Sequence, residues 1–240
     1  MRNLIGMTLS LALVGCAELG IDARQVEGLL GTTSGRGAGL DESTVVAGLK
    51  EALQVGTERA VDQTSQPGGF LDDALLRIAL PDELQSVAKG MRAVGLGAQV
   101  DEVEVSMNRA AESASAEATD VFWQAVSSMS ISDAYGILNG PDDAATTYFR
   151  GRTEGTLRER FSPVVESAMQ SVGLYQAYDR LVQSYGALAL FSDPKADLNR
   201  HVTDETLDGL FTVLASEEKR IREDPVARSS ELLQKVFGGR

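Results

Sequence analysis

The sequence predicts an all-α protein: a single-domain helical bundle arranged around a long central helix. Three observations carry that prediction. At about 100° per residue, Val100, Val103, Met107, Ala111, Ala114, Ala118, Val121, Ala125 and Met129 fall into one stripe, the mark of a helix with a buried face. Hydrophobic residues make up 43% of the chain but aromatic residues only 5%, and alanine is common, which suits helices in close approach rather than stacked sheets. Helix-starting Ser, Thr, Asp and Pro alternate along the chain with Gly-containing stops. A chain of 240 residues can bury one sizeable core, and one folded domain is expected over residues 41–240.

The central stretch, taken as one unbroken helix, would span about 45 Å at about 1.5 Å per residue, enough for neighbours on both faces. A second strip, a quarter turn or more away, carries Val105, Asn108, Glu112, Thr119 and Trp123. It sets a polar pair between apolar residues on the side that would otherwise face solvent, so another part of the chain should cover it.

The remaining elements follow from local signals. Asp41 caps a helix with Val45, Leu49, Leu53, Ala60 and Val61 on its inner face, ending before Gln66-Pro67-Gly68-Gly69. Residues 70–80 fit either a helical turn or a short extended piece. Pro81 starts the next helix, to about Val94, with Asp82 and Glu83 at the positive end of its dipole. Ser130 and Asp133 suit the start of a short helix that Asn139-Gly140 stops. Pro141-Asp142-Asp143 opens another, with Ala144, Ala145, Tyr148 and Phe149 inward; continued past Gly151, it would put Arg152 in the middle of that face. New helices are expected from Thr153 or Ser162-Pro163, carrying Val165, Met169, Val172, Tyr175, Tyr178, Leu181 and Tyr185. Further starts are expected at Thr203, with Leu207, Leu210, Phe211, Leu214 and Ile221 in its stripe, and at Asp224-Pro225, with Val226, Leu232, Leu233, Val236 and Phe237 inward.

The N-terminus carries the most specific signal. Arg2 is a minimal positive region, Leu4 to Val14 an apolar run too short to cross a membrane, and Leu13-Val14-Gly15-Cys16 follows directly. Those four residues resemble a bacterial lipobox. The resemblance implies removal of residues 1–15, a diacylglyceryl thioether on Cys16 and acylation of its new amine. Each buried CH₂ contributes about 0.8 kcal/mol, so more than one chain makes a stable anchor. Cys16 is the only cysteine, so no disulfide competes for it. Ala17, rather than an acidic residue, favours sorting to the inner leaflet of the outer membrane. Residues 16–40, with Gly31-Thr-Thr-Ser-Gly-Arg-Gly-Ala-Gly39, form a flexible tether holding the folded body in the periplasm.

Charge narrows the partners. Twenty-two basic against 35 acidic residues leave a formal net of −13, which argues against nucleic acid or an anionic surface held by charge.

At Met107-Asn-Arg-Ala-Ala-Glu112, Asp133-Ala-Tyr-Gly-Ile-Leu-Asn-Gly140 and Ala144-Ala-Thr-Thr-Tyr-Phe149, the chain resembles a bacterial family catalogued as domain of unknown function 4197. The likeness continues through Asp208-Gly-Leu-Phe211, Glu218 to Asp224-Pro225, Arg228 and Val236-Phe-Gly238, over most of residues 40–238. It implies an exported, often lipobox-bearing protein of Gram-negative bacteria and brings no activity with it.

Catalytic signatures are sparse. His201 is the only histidine and is expected in a loop ahead of Thr203, which leaves little for zinc or imidazole chemistry, and no metal or other cofactor is expected. The string Ser216-Glu-Glu-Lys219 lacks the companion motifs of penicillin-recognising enzymes and reads as a solvated helix face, and Asp193 to Asn199 lacks the glycine and terminal glutamate of a calcium loop. What stands out is charge where apolar residues belong: Glu112, Arg152 and Glu218, with Asn108, Arg109, Arg150, Arg222 and Arg228 near them in motif or spacing. Two readings stay open. One is a structural network, with Glu218 and Arg222 paired at i, i+4 and Arg152 paired to Glu218 between helices. The other is a pocket for a small anionic or zwitterionic ligand clamped by arginines. The expected role is a non-catalytic module that binds an envelope protein or small ligand; the alternative is an envelope hydrolase using Glu112 with Glu218 or Asp133.

Overall fold

The computed structural model describes residues 41–171, 176 and 194–224. The leader, Cys16, the tether, the stretch around Tyr175 to Tyr185, Arg228 and the helix expected from Pro225 lie outside the described residues, as does most of the segment before Pro194.

The fold is all-α, one helical domain, and among the described residues there is no strand. Helix α1 spans Glu42–Ser65, capped by the Asp41 carboxylate on Thr44 N–H at 2.6 Å. Helix α2 (Asp82–Ala93) starts after Pro81 and ends where Leu96 N–H returns to the Met91 carbonyl, a closed helix terminus. The long central stretch is present as α3 (Gly97–Ser115) and α4 (Ala118–Ser127). At the step between them the backbone stays helical, but Glu117 N–H bonds back three residues to Ala114 rather than four. Every residue of the stripe from Val100 to Met129 is buried. Helix α5 (Ile131–Leu138) opens with Ser130 and Asp133 bonded reciprocally, a complete capping box.

Two helices run further than local signals suggest. Helix α6 covers Ala144–Ser171 without a break at Gly151, Thr153 or Ser162, and carries Pro163 inside it. What holds it continuous is its buried row: Ala145, Phe149, Thr153, Leu157, Phe161, Val165 and Met169. Residues four apart advance by about 40° per step on a helix of about 3.6 residues per turn, so the row winds round the helix and meets successive neighbours. Arg152 falls outside that row: its side chain is 63% exposed, not set in the inner face. Helix α7 begins at Pro194 and runs to Glu223, so Thr203 lies inside it, buried, and His201 is helical rather than in a loop. Pro194 suits the first turn, where its missing N–H has no partner to lose.

Helix α3 packs against α1, α2, α6 and α7, and α4 against α1 and α6. Phe122 of α4 meets Phe149 of α6 edge-on at 5.4 Å and Phe211 of α7 at 6.1 Å, an aromatic junction of three helices. The segment after α1, for which a helical turn or a short extended piece is expected, forms turns to Leu76 and then runs without regular secondary structure to Pro81. It lies across α3 and α7, with Phe70, Leu76, Ile78 and Leu80 buried. Phe70 comes so close to α7 that a Cβ on Gly209 would lie 2.5 Å from its ring, so only glycine fits there.

Candidate functional site

The polar pair on the central helix is covered, as its position requires, by the segment after α1. The turns of this segment bond within themselves as far as Arg77, but the N–H groups of Gly68, Phe70, Leu71 and Ile78 find their acceptors on α3. Glu112 Oε1 accepts from the N–H groups of Gly68 at 2.9 Å and of Phe70 and Leu71 at 3.3 Å, while Oε2 takes Arg109 at 2.6 Å. Gly68, at φ +93°, turns the chain so that these N–H groups converge. One turn back, Asn108 accepts from Ile78 N–H and donates to Ile78 C=O, both at 2.8 Å, imitating a strand partner. A further turn back, Glu104 meets Arg77 of the segment at 3.5 Å and Arg92 at 3.3 Å. From the other side, His201 Nε2 lies 2.9 Å from the Ala79 carbonyl, to which it donates.

Glu218 does for α6 what Glu112 does for the segment. Its two oxygens accept from Ala145 N–H at 2.9 Å and from Thr146 N–H and hydroxyl at 2.8 and 2.9 Å, capping the helix from outside. Arg222, one turn on, binds Glu218 at 2.8 Å and the Ile137 carbonyl at 3.0 Å. Beside them, Leu49, Leu53, Ile137 and Ile221 line a small pocket of about 30 Å³. That is the volume of about one water molecule, far below the few hundred Å³ of a metabolite site.

The other charged residues do not join these two centres. Arg150 pairs with Asp208 at 2.8 Å and lies 4.5 Å over the Phe211 ring. Arg152 stands 3.9 Å from Asp133, not Glu218, and over the Tyr148 ring at 5.7 Å. The Ser130 hydroxyl, then its backbone N–H, hold the Asp133 carboxyl below the ordinary carboxylate range; burial raises the Tyr148 phenol above its usual value. Thus Asn108, Arg109 and Glu112 make one centre, Glu218 and Arg222 a second, and Arg150 and Arg152 separate surface pairs. Ser216 and Lys219 are both exposed. No group of metal-ligating side chains occurs among the described residues.

A larger concavity lies elsewhere, between α1 and α4. Gln54, Thr57 and Glu58 form one ridge at i, i+3 and i+4, Thr119, Asp120 and Trp123 the facing one, around a cleft of about 300 Å³. Trp123, the chain's only tryptophan, is 50% exposed there. Gln54 Nε2 donates to Glu58 at 3.1 Å, and the Thr57 hydroxyl donates to the Gln54 carbonyl at 2.9 Å. Trp123 and Thr119 belong to the second strip of the central helix. Glu58 and Asp120 read in sequence as ordinary solvated charge, because nothing local shows that two helices far apart in the chain face each other.

Residues 39–238 match the model of a family described as a protein of unknown function, DUF4197. The chain belongs to the DUF4197 family. No curated protein and no solved structure matches it. Both buried carboxylate centres and the cleft of Trp123 lie inside the span that defines the family.

Proposed function

We propose that this DUF4197 chain is a lipoprotein anchored through Cys16 to the outer membrane, whose helical domain binds a ligand or a partner protein on the periplasmic side and performs no chemistry. The observation that carries the binding part is the cleft of Trp123: a concave surface of about 300 Å³ with the chain's only tryptophan half-exposed on one wall. The arginine clamps that an anionic ligand would need are committed to carboxylates of this chain, Arg109 to Glu112 and Arg222 to Glu218, so they lend a separate pocket no support. The hydrolase reading loses support for a related reason. A general acid or base needs a lone pair aimed at substrate, whereas Glu112 and Glu218 accept four hydrogen bonds or more each from this chain's own groups. The anchor rests on the lipobox residues Leu13 to Cys16.

The test has two arms. Metabolic labelling with a fatty-acid probe should modify Cys16, and Cys16→Ala should abolish the label. Crosslinking in the native envelope, then mass spectrometry of what travels with the chain, should return a reproducible protein neighbour or small molecule. An unlabelled Cys16 with the mature chain in the cytosol overturns the location; a chain that crosslinks to nothing overturns the binding role.

A further inference from the structure

We infer that the cleft between α1 and α4 binds an alkylammonium group, held over the indole face of Trp123 and countered by Glu58 and Asp120. This deepens the binding reading above and rests on it for the cleft being a site at all.

Volume, ring and charge converge. About 300 Å³ equals some ten waters at about 30 Å³ each, room for a small amine or the end of a lysine side chain. A tryptophan ordinarily buries most of its large surface, yet Trp123 keeps half of it open, and indole is the strongest cation-binding face among the side chains. Both charged residues of the lining are carboxylates. Some surface carboxylates are already neutralised by arginine, Asp101 by Arg92, Asp208 by Arg150 and Asp204 by Arg158. Among the described residues, neither Glu58 nor Asp120 forms an ion pair. Charge separates an amine from a neutral ligand. The amide of Gln54 donates to Glu58, and the hydroxyls of Thr57 and Thr119 donate to the Gln54 and Ala116 carbonyls. The Gln54 amide and the indole N–H still carry donors, but the only charge in the cleft is that of two carboxylates beside a π face, so the complementary group is positive.

Because Trp123 is the chain's only tryptophan, its fluorescence in the intact protein reports on this cleft alone. Titration at fixed ionic strength with 1,4-diaminobutane and with Nα-acetyl-lysine amide should give saturable changes, the tighter of the two telling a free amine from a lysine side chain. The neutral 1,4-butanediol should bind roughly tenfold more weakly or worse, a ratio equal to about 1.4 kcal/mol. The double variant Glu58→Gln, Asp120→Asn should lose the amine response by a similar factor while its helical circular dichroism stays unchanged. Equal responses to amine and diol, an amine response that survives the double variant, or no saturable response to either amine overturns the proposal. Saturation by a neutral disaccharide in place of the amines also overturns it, yet leaves the binding reading standing, since that reading falls only with the crosslinking result.

Discussion

The two halves of the central helical stretch treat the same strip of surface in opposite ways. On α3 the strip's polar pair, Asn108 and Glu112, is buried, closed under the segment after α1, while Val105 at its edge stays exposed. On α4, beyond the step at Ala116 and Glu117, the strip carries Trp123 and is open. This inverts the usual expectation that polar residues face water and aromatic ones the core. The difference lies in what packs on each half. An irregular segment brings unbonded N–H and C=O groups, and only polar side chains can receive them out of water. The facing helix α1 has satisfied its own backbone, so nothing obliges α4 to meet it with polar groups or to close over its tryptophan.

The comparison breaks most visibly at Glu112. Glu112→Ala strands three buried or half-buried backbone N–H groups and removes the partner of Arg109, which should cost about 3–5 kcal/mol and shift the denaturant midpoint accordingly. Glu112→Gln keeps an acceptor oxygen and should recover part of that loss. If both variants unfold at the wild-type midpoint, the segment is held by its apolar residues alone. Asn108→Ala comes next. It removes the two bonds to Ile78 and one to the Glu104 carbonyl from a fully buried site, for a loss of about 2–3 kcal/mol, and should raise amide exchange at Ile78 before anywhere else.

A smaller effect should follow from the far side of the same segment. Gly209→Ala places a methyl 2.5 Å from the Phe70 ring, and either α7 or Phe70 must move, at about 1–3 kcal/mol. Phe70→Leu in the same background should return some of it by making room. If Gly209→Ala is instead neutral, Phe70 is not wedged against α7.

These residues also mark where the sequence is legible. Helix starts at Asp41 and Ser130 can be read because a cap is chemistry within four residues, and the start at Pro81 because proline's fixed φ suits the beginning of a helix. The stripe from Val100 to Met129 can be read because its period is local too. Helix α6 cannot. Pro163 costs a helix interior about 3 kcal/mol and the run includes Gly151 and Gly155, so local preference argues for a break that the buried row from Ala145 to Met169 overrides. The places of Arg152 and His201 are not legible either, since their exposure and surroundings depend on where those long helices run. The oddity of Glu112 and Glu218 was legible, their partners were not. Each binds backbone groups some 41 to 73 residues away, which carry no side-chain signature.

The smallest expected change in stability separates the open half from the closed one. Trp123→Ala should alter the folding free energy by no more than about 0.5 kcal/mol, because a half-exposed ring on a satisfied helix surface leaves no cavity and no stranded partner when truncated. Alanine also raises local helix propensity and offsets part of whatever contact is lost. Phe122, its neighbour in sequence, has the reverse orientation and sits fully buried at the junction with Phe149 and Phe211. A loss of several kcal/mol at Trp123 would mean that the ring holds α1 and α4 together, and would remove the reason to treat its exposure as a feature of binding. A neutral result, joined to a changed amine response, places the residue's purpose outside the fold.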